Sequence, residues 1–146
     1  MTEQIRTLQP AIWPRPRGYA NGIAAQGTYV TIAGQIGWDA QERFETDDLV
    51  GQVRQALANV LAVLGEAGGR PEHIVRMTWY LVDRREYLSR VREIGAVYRE
   101  LMTTIGNAVH YPAMTAVQVV ALMEDRAKVE IECTAVIPPP EEHGGA

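Results

Sequence analysis

The C-terminal part of the chain alternates between apolar and polar residues, and residues 128–133 read Lys-Val-Glu-Ile-Glu-Cys. Neighbouring side chains of a strand point to opposite faces, so the alternation predicts a strand with Val129 and Ile131 on one face. Glu130 and Glu132 share the other face. Because carboxylates are rarely buried without partners, we expect that face to border water or a polar cleft.

A second strand is predicted just before it, where residues 111–117 read Tyr-Pro-Ala-Met-Thr-Ala-Val. We expect the two strands to cover residues 114–122 and 127–136. Since only a short loop separates them, they are predicted to form one hairpin.

Three earlier segments are also rich in strand-forming residues. Residues 22–25 and 29–33 flank Gly27 and predict a hairpin in which this glycine supplies the turn. Residues 74–82 predict a further strand, with Trp79 at its centre.

Two stretches show the three-and-four spacing of an amphipathic helix. The first starts after Thr46 or Asp47, either of which is a suitable cap, and ends at the glycine pair 68–69. The second spans about residues 85–103. The order ββ-α-β-α-ββ predicts an α+β fold, in which two helices cover one face of a mixed sheet.

The size of the chain fits one domain, residues 1–146, because 146 residues with 47% hydrophobic residues can bury a single core. Residues 1–18 contain three prolines and predict an extended N-terminal segment without periodic pattern. Residues 138–146 are polar and rich in helix breakers, so we expect a flexible tail.

Charge and composition exclude several classes of partner. The net charge is −4 and the 14 Lys and Arg residues are spread along the chain, so no basic surface for nucleic acid is expected. There is no apolar run of 18 residues and no signal-peptide pattern, which predicts a cytoplasmic protein without membrane contact. The single cysteine, Cys133, falls on the apolar strand face and is predicted to be a buried structural thiol.

The three histidines, His73, His110 and His143, match no metal-ligand spacing. We also find no phosphate-binding glycine loop and no nucleophile elbow. The sequence therefore predicts neither a metal nor a cofactor.

Several motifs, taken in order, resemble the RidA/YjgF family of imine and enamine deaminases. Residues 112–115, Pro-Ala-Met-Thr, are similar to its Pro-Ala-Arg-Ser, and the Glu-Ile-Glu strand is similar to its last strand. Residues 32–36, Ile-Ala-Gly-Gln-Ile, resemble its Val-Ser-Gly-Gln-Ile, and residues 19–22, Tyr-Ala-Asn-Gly, resemble its Tyr-Ser-Gln-Ala. The resemblance covers about residues 16–137. It implies a chorismate-mutase-like fold and a homotrimer with a barrel-like core and pockets between neighbouring subunits.

The resemblance also implies a site. In the family, an arginine grips the carboxylate of a 2-imino or 2-enamino acid, a glycine region and a tyrosine line the pocket, and a glutamate activates water. Carried over by position, the lining residues are Tyr19, Gly34 and Met114. The glutamate is Glu130 or Glu132: one extra residue between the two strands leaves both open, and the register slightly favours Glu130.

Met114 stands where the family has its arginine, and no neutral side chain replaces a guanidinium on a planar carboxylate. Other departures are Ala33 for a serine, Gly95 for an asparagine and Ala116 for a cysteine. The expected pocket is therefore more apolar than that of the family. A replacement cation is expected, if present, from Arg17 or Arg126.

Two other residues are candidates for substrate binding. Trp38 follows the Gly34 loop and is either a pocket wall or ordinary loop packing. His110 precedes the strand of Met114 and is either a polar pocket residue or an exposed loop histidine.

Two functions remain open from the sequence. The first is a hydrolase of small imine or enamine metabolites that uses a glutamate-activated water. The second is a trimeric protein that binds a small molecule without turnover, which loss of the arginine favours. Ribonuclease action, or inhibition of translation, is a weaker alternative because the charge does not support it.

Overall fold

The computed structural model describes residues 4–140. Its strands are β1 (Ile5–Leu8), β2 (Gly22–Ala25), β3 (Thr28–Ile36), β4 (Ile74–Leu81), β5 (Ala113–Gln118) and β6 (Val129–Ile137). Its helices are α1 (Leu49–Glu66), α2 (Arg84–Ser89) and α3 (Val91–Leu101), and a short 3-10 helix (Pro71–His73) precedes β4.

The main sheet has four strands in the order β3-β6-β4-β5. Strand β6 is antiparallel to both of its neighbours, whereas β5 runs parallel to β4. The predicted hairpin of residues 111–117 and 128–133 is therefore wrong, because β4 lies between these two strands. Alternation specifies which face a side chain takes but not which strand lies alongside. The strand with the more deeply buried apolar face, β6, takes an inner position, and Val129 and Ile131 are fully buried there.

The N-terminal segment forms a second, two-stranded sheet from β1 and β2. The predicted hairpin of residues 22–25 and 29–33 is also wrong, since β2 pairs with β1 and β3 pairs with β6. Residues 1–18, expected to be extended and unpatterned, thus contain a paired strand. Residues 1–3 and 141–146, part of the expected end segments, lie outside the described residues.

The hydrophobic core lies between the main sheet and the helices, which confirms the predicted α+β arrangement. From α1 it includes Val53, Leu57 and Val60, all essentially inaccessible to solvent. From α3 it includes Ile94 and Val97. Both helices cover the same face of the mixed sheet, and the other face is open in this chain.

The second helix is divided, whereas the sequence predicted one helix over residues 85–103. Arg90 separates α2 from α3 with a φ of −116° and a ψ of 14°. Its guanidinium donates to Asp48 and to Glu93, and these bonds fix the break. Tyr87 and Ile94 both still face the core, because each short helix orients its own apolar side.

Helix α1 is capped by Asp48 and not by Thr46 or Asp47, the two predicted caps. The Asp48 carboxylate accepts a hydrogen bond from the backbone N–H of Gly51 at 3.1 Å. Thr46 stabilises the turn before the helix, since its hydroxyl accepts a hydrogen bond from the Asp48 N–H at 3.0 Å. The guanidinium of Arg90 and the Gly51 N–H lower the pKa of Asp48, because both favour the charged carboxylate.

Changing Asp48 to alanine is expected to lower the free energy of unfolding by about 1 kcal/mol, the usual value of an N-cap. Urea denaturation at pH 7 measures this difference. Asp48→Asn should keep most of it, because asparagine also caps helices. Asp47→Ala is the matched control. Among residues 4–140 the Asp47 carboxylate makes one ion pair, an exposed one with Arg126, so a loss as large as that of Asp48→Ala would contradict the assignment.

Candidate functional site

The two candidate glutamates lie on the open face of the sheet, as the alternation predicted. Glu130 is half-buried and Glu132 is exposed, while Ile131 between them is buried in the core. In the register of β6 with β4, Glu130 lies opposite Tyr80 and Glu132 lies opposite Thr78. This face is therefore polar where the two strands meet.

Glu130 packs directly against Gly34. A Cβ at residue 34 would lie 2.7 Å from the Glu130 Cδ and 2.9 Å from its Oε2. Such distances are far below van der Waals contact, so only glycine leaves room for the carboxylate in this position. Gly34 lies in a β-bulge, where the register of β3 with β6 shifts between Ile32 and Gln35. The structure thus brings two of the predicted site residues together.

Glu132 has a different partner. The phenol of Tyr80 donates a hydrogen bond to its Oε1 at 2.6 Å. This bond raises the pKa of Tyr80, because the adjacent carboxylate disfavours the phenolate. Of the two carboxylates, Glu132 is therefore held by Tyr80 and Glu130 is held against the glycine bulge.

Met114 lies on the opposite, helix-covered face of the sheet. It pairs with Met77 of β4, which in turn pairs with Cys133, and Met77 and Cys133 are both core residues. Within one chain, Met114 and Glu130 are thus separated by the sheet. Burial also raises the pKa of the Cys133 thiol to about 12, as expected for a structural cysteine.

Met114 borders a cavity of about 270 Å³ between the N-terminal segment, the sheet and helices α2 and α3. Two aromatic pairs form much of its wall. Trp79 meets Tyr87 edge-on, with ring centroids 6.3 Å apart, and Tyr98 stacks on Tyr111 at 5.3 Å. Burial raises the pKa of Tyr98, whose hydroxyl donates to the carbonyl of His110 at 2.6 Å. The remaining lining residues are Arg17, Gly18, Val91, Ile94, Gly95 and Arg99.

Tyr19 lies close to the beginning of β5 and is 42% exposed. The next residue, Ala20, forms a parallel bridge with Ala113, and its N–H donates to the Pro112 carbonyl at 2.9 Å. The chain at Tyr19 is thereby attached next to Met114.

Trp38 lies apart from both places. Its ring is 6.0 Å from that of Phe44, and both rings line a different cavity, of about 470 Å³. Arg126 belongs to that cavity too: its guanidinium lies 5.4 Å from the Phe44 ring centre and pairs with Asp47. Of the two candidate replacement cations, only Arg17 lines the cavity beside Met114.

His110 is half-buried and tied to the core backbone. One ring nitrogen, Nε2, lies 2.6 Å from the carbonyl oxygen of Ile74. His110 does not line the cavity of Met114 in the described part of the chain. Its contacts are those of a residue that links β4 to the segment before β5.

The sequence analysis missed most of the lining of the Met114 cavity, including Arg99, Trp79 and the rings of Tyr87, Tyr98 and Tyr111. Arg99 is four residues after Gly95, and residues at this spacing are neighbours on a helix surface. A missing side chain at residue 95 was therefore a usable signal for the position of the Arg99 side chain.

Comparison with known proteins identifies the family of the chain. Residues 14–137 match the family model described as Endoribonuclease L-PSP. The chain belongs to this family, the RidA/YjgF family. The resemblance seen in the sequence is thereby confirmed.

Three members of the RidA/YjgF family illustrate the similarity. The chain is 35% identical over 141 residues to the RutC family protein slr0709 of Synechocystis sp., covering 92% of this chain and 98% of that protein. It is 34% identical over 118 residues to the 2-iminobutanoate/2-iminopropanoate deaminase of Salmonella typhimurium, covering 81% and 86%. The solved structure of the Rid family protein YyfB from Yersinia pestis superimposes with a TM-score of 0.72 at 28% identity, covering 92% and 100%.

In residues 4–140, no helix combines the length and apolar character needed to cross a bilayer. In the same part of the chain, no three His, Cys, Asp or Glu side chains cluster in a way that would hold a metal ion.

Proposed function

We propose that this RidA/YjgF protein hydrolyses small imine or enamine metabolites, with Glu130 activating the attacking water. The observation that carries this proposal is the packing of the Glu130 carboxylate on the bulge of Gly34. The relationship to a 2-iminobutanoate/2-iminopropanoate deaminase, which covers 86% of that protein, supports the reaction class. Glu132 remains the second candidate base, although its bond to Tyr80 occupies one carboxylate oxygen.

The proposed reaction consumes one water and releases ammonia. Glu130 takes a proton from the water as the water oxygen bonds to the carbon of the C=N group. Glu130 passes this proton to the nitrogen, and a carbinolamine forms. Glu130 then takes the hydroxyl proton of the carbinolamine and gives it to the nitrogen, the C–N bond breaks, ammonia leaves, and the carbonyl product remains. A carboxylate within hydrogen-bond reach of the water is the group that this step requires.

We further propose that the complete site forms between copies of the chain, in the homotrimer that the family resemblance implies. Met114 lies on β5 and Gly34 lies on β3, and these are the two outer strands of the main sheet. If copies join edge to edge, the Met114 edge of one copy lies beside the Gly34 and Glu130 edge of the next. In such a site Met114 and Glu130 come from different copies, so their separation by the sheet within one chain does not exclude a shared pocket.

One observation favours the alternative of a small-molecule-binding protein without turnover. Met114 lies among aromatic rings on the core side of the sheet and offers an apolar surface where the family has a guanidinium. Ribonuclease action is the weakest alternative, because the net charge of −4 gives no attraction to a phosphate backbone.

An assay of ammonia release separates the two leading proposals. With 2-imino acids generated in situ by an amino-acid oxidase, the wild-type protein is expected to accelerate ammonia release above the uncatalysed rate. Met114→Arg serves as the comparison, since it restores the family residue. An inert wild type beside an active Met114→Arg variant would reject the hydrolase proposal for this chain and support the binding function.

A further inference from the structure

We propose that the cavity beside Met114 is a binding site for carboxylates that carry an aromatic or bulky apolar group, with Arg99 and Arg17 holding the carboxylate. This inference names a substrate class for the proposed function and rests on it for the reaction. The binding itself is argued from the cavity alone.

Arg99 reaches the cavity because residue 95 is glycine. The Nη1 of Arg99 would lie 3.2 Å from a Cβ at residue 95, so the guanidinium is folded back over the bare helix backbone. An asparagine at this position, as in the family pattern, would occupy that space. Two departures from the family therefore belong together: the arginine is lost at Met114, and room for another arginine is opened at Gly95.

The cavity is positively charged. Within residues 4–140 its lining includes two guanidinium groups, those of Arg17 and Arg99, and no Asp or Glu. Among the ion pairs of residues 4–140, neither arginine has a carboxylate partner. A cavity with two unpaired cations in its wall favours an anion, and guanidinium groups match the planar geometry of a carboxylate.

A buried donor adds to this charge. Trp79 is 3% exposed and lines the cavity, and its indole N–H has no acceptor in the described part of the chain. Leaving such a group unbonded costs about 1–3 kcal/mol, so buried donors nearly always have partners. An oxygen of a bound ligand would supply the missing acceptor.

The rest of the wall is suited to an apolar or aromatic group. The rings of Tyr87, Tyr98 and Tyr111, together with Met114, surround the space. Its volume of about 270 Å³ is close to the lower end of small-molecule pockets, which fits a single-ring metabolite. The family arginine at residue 114 would fill part of this space, whereas methionine leaves it open to a larger side group.

Three related compounds test the inference: 3-phenylpropanoate, its neutral amide, and propanoate. Calorimetry on the full chain measures affinity, and the indole signal of Trp79 in a ¹H–¹⁵N spectrum, assigned with Trp79→Phe, reports the site. We expect 3-phenylpropanoate to bind at least about tenfold more tightly than either comparison compound and to shift the Trp79 signal.

Arg99→Gln and Arg17→Gln are each expected to weaken 3-phenylpropanoate binding about tenfold, and Gly95→Asn should act like Arg99→Gln because it displaces the guanidinium. Arg92→Gln is the matched control, an exposed arginine on the same helix outside the cavity, and should change nothing. The signal of Trp38, whose ring packs against Phe44, reports that each variant is folded.

Equal binding of the acid and the amide would overturn the inference, as would an unshifted Trp79 signal or an equal loss in Arg92→Gln. These results are separable from the proposed function. Binding of 3-phenylpropanoate without ammonia release from any imine would reject the hydrolase and leave this site in place. Hydrolysis of imines with no preference for a carboxylate would support the hydrolase and reject the proposed carboxylate site.

Discussion

Replacing Glu130 with glutamine is expected to lower kcat for imine hydrolysis by about 10²- to 10⁴-fold, the usual contribution of a general base. Glutamine keeps the size of the side chain but accepts no proton from water. Because the side chain packs on the Gly34 bulge and is partly buried, the amide should occupy the same place. Steady-state ammonia release measures the change, and KM should move far less than kcat.

Glu132→Gln is the matched control for this prediction, since it removes a carboxylate from the same face of the same strand. Its expected effect is small, because Glu132 is exposed and bonded to Tyr80. A large loss in Glu132→Gln together with full activity in Glu130→Gln would exchange the two roles. Gly34→Ala should resemble Glu130→Gln, because the added Cβ forces the Glu130 carboxylate out of its position.

Gln52→Leu is expected to lower the free energy of unfolding by about 3 kcal/mol. Gln52 is fully buried, and its amide makes three hydrogen bonds to the backbone: it donates to the carbonyls of Thr46 and Arg126 and accepts from the Lys128 N–H. Leucine fills a similar volume but leaves all three groups without a partner, and each unsatisfied group costs about 1–3 kcal/mol. Urea denaturation measures the difference.

Gln55→Leu controls for the effect of leucine on the same helix. The Gln55 amide is only part-buried and donates to the side chain of Asn59, so no backbone group among residues 4–140 loses a partner. We expect a change below about 1 kcal/mol for this variant. If Gln52→Leu were no less stable than Gln55→Leu, the three backbone bonds would not be holding the segment before β6 against α1.

The pattern of the sequence predicted the elements well and their partners poorly. Apolar spacing located α1, β4 and β6, because burial on one face leaves a periodic trace. Neither hairpin was correct, since the pairing of β5 with β4 and of β1 with β2 depends on contacts between distant segments. The cap at Asp48 was missed by one residue for a simpler reason: Thr46, Asp47 and Asp48 are all good caps, and local chemistry does not choose among them.

The candidate site was predicted in the same uneven way. Gly34 and Glu130, which were both selected from sequence motifs, lie in contact in the structure. Both motifs reflect local features, a bulge and an alternating strand. The role of Arg99 in the cavity could not be predicted from its position alone, since an arginine on the outside of a helix is ordinarily solvated. Gly95, considered together with Met114, is the sequence signal that the Arg99 side chain has space to lie over the helix backbone and reach the cavity.

The inner position of β6 also has a consequence for how the protein is made. Thr28, at the start of β3, pairs with Ile137, the last residue of β6. This strand joins the two halves of the main sheet, and of the described strands it is the last to be synthesised. Until then β3 and β4 have exposed backbone edges and no shared neighbour. Such long-range pairing slows folding and prolongs the aggregation-prone stage. A nascent chain that stops before residue 129 lacks β6 and therefore cannot complete the main sheet.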